Sequence, residues 1–183
     1  MSHKAVLDAN ILYPFLLRDM ILYAAHFSLF KPIWSKMILN EVERNLILNG
    51  IMESHNVSKL LQQMKKIFPD AEGTGFEHLI SKMTNDPKDR HIMALAIHED
   101  ASMIVTNNIK DFYPLVEGIE VISADDFLCG LLVNHPHEIS DIIRIQLSNY
   151  RNPPISQKEI LEYYKKQVPH FTEKLRILLA SDS

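Results

Sequence analysis

The chemistry in this 183-residue chain is carried by acids at element ends: Asp8, Glu41, Asp89 and Asp111. Asp8 closes the apolar run Ala5-Val6-Leu7. That run has no helical period and reads as a buried parallel strand, residues 4–7. A carboxylate at the C-terminal end of a first strand lies where open α/β sheets place their ligands. Glu41 falls within the stretch 36–49, where Ser35 offers an N-cap and Gly50 a C-terminal stop. Its apolar stripe is read as Met37, Ile38, Val42 and Leu46, with Glu41 beside it and able to point toward the sheet edge. Asn85-Asp86-Pro87 is a helix-start signal, with Asp86 as N-cap, so Asp89 falls in the first turn of a helix expected over 87–99. Asp111 lies in the loop after a second strand, 102–105, whose end carries Thr106-Asn107-Asn108.

Carboxylates gathered on one rim repel and raise one another's pKa. Such a cluster makes sense around a hard divalent ion, Mg²⁺ or Mn²⁺, which takes oxygen ligands. One or two such ions can activate water and stabilise the leaving oxygen of a phosphodiester. Asn10, Thr106 and Asn108, neutral and polar at the same rim, are expected to orient the carboxylates or their water. Other chemistries find less support. His91 and His98 lie on one helix but lack a third ligand of the zinc type, and read as ordinary core or surface histidines. Cys129 is the only cysteine and has no evident activating partner. No serine has a nucleophile-elbow context.

The elements that must position these acids alternate strand and helix. After strand one, a helix is expected over 18–30 and is stopped by Lys31-Pro32, with a short strand at Ile33-Trp34. A helix at 58–68 and a strand at 119–122 follow, and Ser123 caps a further helix. Right-handed crossovers then give an α/β fold with a central, mostly parallel sheet flanked by helices. From Val133 the texture is helical: 138–151, a hinge at Asn152-Pro153-Pro154, 156–167 with a Ser156/Glu159 capping box, and 171–179. The division drawn is 1–132 for the site-bearing domain and 133–183 for a helical C-terminal extension. The extension is expected to serve binding and not chemistry, with 156–167 lying apart from the main body.

Hydrophobic residues make up 46% of the chain, enough for a real core. The net charge of −4 weighs mildly against a nucleic-acid binder, though bound divalent ions would offset it. A single cysteine suits a reduced, cytoplasmic setting. No leader and no membrane span are expected.

With these residues in view, the chain resembles the PIN-domain ribonucleases, in particular the VapC-like toxin branch. The resemblance is carried by VLDANIL (6–12), SKMILNEVERNL (35–46), NDPKDRHIMALAI (85–97) and IVTNNIKDF (104–112). Arg151-Asn152-Pro153-Pro154 also resembles the tail of that subgroup. The resemblance implies a PIN fold and a metal site at Asp8, Glu41, Asp89 and Asp111. It also implies Mg²⁺- or Mn²⁺-dependent endonucleolytic cleavage of RNA, homodimers and a cognate antitoxin protein. Many PIN domains carry T-x-D after the corresponding strand; here that place is Thr106-Asn107-Asn108, and Asp111 supplies the carboxylate. Lys88, Arg90 and Lys110 lie near the acids in sequence and are expected to hold RNA phosphates. The competing functions are a housekeeping or DNA-directed nuclease and a catalytically silent metal-binding interaction module.

Overall fold

The structure, a computed structural model, describes residues 3–150 and 153–181. The chain packs as two compact units. One holds the chain up to Tyr13 together with Phe30–Ile122, and the other holds Pro14–Leu29 with Ser123 onward.

The first unit is built on a four-stranded sheet of β1 (Lys4–Leu7), β2 (Lys31–Ile33), β3 (Met103–Val105) and β4 (Glu120–Ile122). The strands run parallel in the order β2-β1-β3-β4. The first strand is therefore interior, which is why Ala5, Val6 and Leu7 are apolar without alternation and fully buried. Lys31-Pro32 does not merely end a helix but forms part of β2; proline is tolerated there because β2 is an edge strand. The helices of this unit are α1 (Ala9–Leu12), α3 (Lys36–Leu48), α4 (Ser54–Ile67), α5 (Glu77–Ile80) and α6 (Arg90–His98), and α2 (Phe15–His26) belongs to the other unit. The Ser35 cap forms, its Oγ accepting from Ile38 N at 3.2 Å, and Gly50 takes a φ of +62° just after the helix. The buried stripe of α3 is Ile38, Leu39, Val42 and Leu46; Met37 faces outward and Leu39 takes its place.

Helix α6 starts later than its sequence signal suggests. Residues 87–89 form a turn, and the helix begins at Arg90. The Asp86 carboxylate caps that turn, accepting from Lys88 N at 3.0 Å, so Asp89 stands just ahead of the helix and not within its first turn. The inward residues Ile92, Ala94, Leu95 and Ala96 are fully buried, as their spacing suggests.

The second unit comprises α2 with α7 (Ala124–Asn134), α8 (Pro136–Asn149), α9 (Gln157–Gln167) and α10 (Pro169–Ser181). Pro136 and Pro169 each stand just after one helix ends and open the next, in keeping with proline's fit at a first helical position. Arg151 and Asn152, part of the expected hinge, lie outside the described residues. The sequence division at 132/133 is not where the packing changes: α7 and the early helix α2 pack with the C-terminal helices. Nor does α9 lie apart. Its Ile160 and Tyr164 are fully buried, and the Tyr164 hydroxyl lies 3.0 Å from Leu16 O in α2 and 2.8 Å from Gln146 Oε1 in α8. The physical reason is the all-round apolar surface of α2, where Leu16, Leu17, Met20, Ile21 and Ala24 need covering. The Ser156/Glu159 capping box forms as its spacing predicts.

Tyr164→Phe leaves Gln146 Oε1, itself fully buried, without its hydroxyl partner. The expected loss is about 1–3 kcal/mol. A lower urea midpoint with an unchanged m-value would record it.

Candidate active site

The parallel arrangement puts the ends of β1 and β3 side by side, and the two residues that leave those strands meet. Asp8 follows Leu7, Thr106 follows Val105, and Asp8 N donates to Val105 O at 3.1 Å. The Thr106 hydroxyl donates to Asp8 Oδ2 at 2.7 Å, and Asn10 Nδ2 donates to the same oxygen at 2.7 Å. Asn10 also reaches Thr106 Oγ1 at 3.1 Å, while its own Oδ1 accepts from Asn107 N at 3.2 Å. Asn108 joins through its backbone, donating to Thr106 Oγ1 at 3.0 Å. Asp8 is only 4% exposed and Thr106 is fully buried. Burial pushes the Asp8 carboxyl up. The Thr106 hydroxyl and the backbone of Asn10 pull it down, and the negative charge of Glu41 raises it again.

Asp89 and Asp111 come from two loops that are stitched together. Asp86 N donates to Asp111 O at 3.0 Å, and Asn85 Nδ2 reaches the same carbonyl at 3.4 Å. Arg90 Nε donates to Asn85 O at 3.1 Å, tying the start of α6 to the loop. Asp111 sits in a 3-10 helix, Ile109–Phe112, anchored by the fully buried Phe112. The Asp89 carboxyl is pushed up to about 6, first by burial and then by the charges of Asp8, Asp111 and Asp86, with His91 opposing. Asp8, Asp89 and Asp111 thus lie within one electrostatic neighbourhood, and Glu41 is coupled to it through Asp8. Of the basic residues, Lys88 and Lys110 are exposed, whereas Arg90 is half-buried and already holds Asn85.

One neighbour was read from the sequence as an ordinary histidine. His91 is 4% exposed, and its Nε2 lies 3.1 Å from Glu41 Oε1. The contact is off the hydrogen-bonding direction, so neither ring nitrogen has a hydrogen bond. The only sequence signal was its place directly after Asp89-Arg90.

Which ion would such a site take? The donors are carboxylate oxygens backed by hydroxyl and amide groups, suited to Mg²⁺ or Mn²⁺ and not to a thiolate-loving metal. Their mutual repulsion, visible at Asp89, is the electrostatic condition a divalent cation relieves. Among the described residues no three acid, histidine or cysteine side chains are already gathered to hold an ion. The fit is therefore one of donor chemistry and charge, and the side chains must close on the ion.

Residues 4–110 match the family described as PIN domain, and residues 124–177 match the family described as VapC50 C-terminal domain. A protein of Mycobacterium tuberculosis named "Putative ribonuclease VapC50" is 35% identical over 112 residues, covering 60% of this chain and 66% of that protein. The match thus spans just under two thirds of that relative's length.

The Asp89 carboxyl titrates near 6 in the fold against an ordinary value of 3.8, so between these values the folded chain keeps a proton that the unfolded chain has released. Its ionisation therefore opposes folding above about pH 6, and this penalty vanishes below about pH 4. In EDTA, Asp89→Asn is expected to melt higher than wild type at pH ~8. The gain is at most about 1 kcal/mol after solvent screening, or ~2–4 °C, and it disappears as pH falls through 6 toward 4. Melting curves of both proteins across that range check it.

Proposed function

The chain belongs to the PIN-domain family, and from that premise we propose that it is a Mg²⁺- or Mn²⁺-dependent endoribonuclease, the toxin of a toxin–antitoxin pair. One observation carries the reading most directly: burial first, and then the charges of Asp8, Asp111 and Asp86, push the Asp89 carboxyl up to about 6, so these acids act on one another. Acids so placed have their chemistry when a cation is bound among them. The toxin reading leans on the name of the mycobacterial relative and on the C-terminal family match.

In this proposal Asp8, Glu41, Asp89 and Asp111 hold the ion. When bound, the cation supplies a Lewis acid for a phosphoryl oxygen and lowers the pKa of water. The remaining work belongs to the chain. Thr106 and Asn10 fix Oδ2 of Asp8, so that this ligand does not turn away when the site fills. Asn108 holds the Thr106 oxygen from the backbone side. A carboxylate oxygen of this set that is not bonded to the ion would accept the proton of the attacking water, and the attack would run in line with the leaving oxygen. Lys88 and Lys110 meet RNA phosphates, with Arg90 contributing from its anchored position. RNA is the substrate, a cognate antitoxin and a second copy of the chain are the protein partners, and the setting is the cytoplasm. Among the described residues no helix is long and apolar enough to cross a membrane. All four acids lie within the proposed nuclease domain, 1–132, and the extension, 133–183, is proposed to contact partner or RNA.

Asp8→Asn keeps the shape of the side chain and removes the charge. RNA cleavage with Mg²⁺ is expected to fall below detection, while circular dichroism stays unchanged. Cleavage at the wild-type rate would remove Asp8 from the ligand set. In parallel, Mn²⁺ at about a hundred times its dissociation constant is expected to stabilise the wild type by roughly 2.7 kcal/mol, and the Asp8→Asn variant by far less.

A further inference from the structure

His91 presents a problem that the acids alone do not explain. It lies on α6, two residues after Asp89, and is 96% removed from solvent, with 4% of its surface exposed. A buried imidazole ordinarily has a partner at each nitrogen, because an unmade bond there costs roughly 1–3 kcal/mol. Here neither ring nitrogen makes one. The acidic group facing it is the carboxylate of Glu41, on a different helix, with Oε1 3.1 Å from Nε2. Glu41 is about one third exposed, at 34%, so its side chain is free to turn about its own torsions, while the buried ring is not. His91 also acts electrostatically on Asp89, lowering its proton affinity. One ring thus faces the acid of α3 and acts electrostatically on the acid that precedes α6.

We propose that His91 is a positioning residue: once the Glu41 side chain turns into line, Nε2–H donates to Glu41 Oε1 and holds that carboxylate toward Asp8, where it completes the cation site. This inference rests on reading the acids as a divalent-cation site. Glu41 is the acid most in need of such help. Asp8 is gripped by Thr106 and Asn10, and the loops of Asp89 and Asp111 are stitched together through Asn85 and Asp86, whereas Glu41 projects from mid-helix on a long, half-exposed stem. Hydrogen bonds to a ligating carboxylate typically carry about 10–100-fold of metal affinity. An unbonded imidazole also weakens the fold around it, which is the pattern of a group retained for a site and not for packing.

Mn²⁺ binding, measured by calorimetry on the full-length chain at neutral pH, tests this with two substitutions. His91→Phe fills the ring's volume and removes the N–H; His91→Gln restores an N–H donor. His91→Phe is expected to bind Mn²⁺ about 10–100-fold more weakly, with a melting temperature in EDTA equal to or above that of wild type. His91→Gln is expected to recover most of the affinity. Wild-type affinity in His91→Phe, or no recovery in His91→Gln, overturns the proposal. Absence of Mn²⁺ binding by the wild type overturns the cation reading itself, and with it the role of His91. Should His91→Phe fail to fold, nitrogen-15 shifts of the wild-type imidazole decide the matter. A protonated Nε2 supports the proposal, and a ring protonated at Nδ1 alone overturns it.

Discussion

A carboxylate deprived of most of its water at the end of β1 is the constraint around which the first unit is arranged. Asp8 is 4% exposed, and an ionised group so buried must be compensated. The compensation is supplied across the sheet by Thr106, which leaves the neighbouring strand at the matching level, and by Asn10, two residues on. The Leu7↔Val105 register is thus what places the hydroxyl against the acid. A slip of one residue would turn Thr106 to the other face and leave the charge unanswered.

The remaining acids arrive on less rigid supports, and each support is braced by a different device. The turn at 86–89 and the 3-10 helix bearing Asp111 share backbone and Asn85 hydrogen bonds, which tie the two loops together. Arg90, which has the charge for phosphate binding, also spends its Nε on the Asn85 carbonyl. Helix α3 relies on the Ser35 cap and a four-residue apolar stripe to hold its angle, which fixes the Cα of Glu41 but not its carboxylate. The result is a graded site: Asp8 locked, Asp89 and Asp111 linked, Glu41 adjustable against His91.

The second unit solves a different problem. A helix from near the N-terminus is apolar around most of its circumference and is covered by α8 and α9. Asp125 in α7 then caps α10, accepting from the backbone N–H of His170 at 3.0 Å and of Phe171 at 2.7 Å. A carboxylate at a helix N-terminus meets both the free N–H groups and the favourable end of the macrodipole. The C-terminal helices therefore have a core and a cap of their own, which is more than a tail lent to partner binding requires.

What could be read without coordinates was governed by local rules. The unalternating run before Asp8, the Ser35 and Ser156 caps, and the Gly50 stop all act within a few residues, and each stands where its residue types demanded. The parallel sheet followed from strands alternating with helices. Contacts between distant segments were decided only by the tertiary structure. Pro32 reads as a breaker until its strand is known to be an edge, and Met37 competes with Leu39 for the core until a packing partner exists. Asp86 has the form of a helix cap, yet its carboxylate caps a separate turn at 87–89 while its N–H donates to Asp111 O. His91 and Glu41 lie fifty residues apart on helices whose relative placement no local signal encodes, so their approach to 3.1 Å could not be read from either stretch. Sequence offered the four acids as candidates because residue type and local position are legible along the chain; the imidazole beside Glu41 became visible only once two helices had been packed.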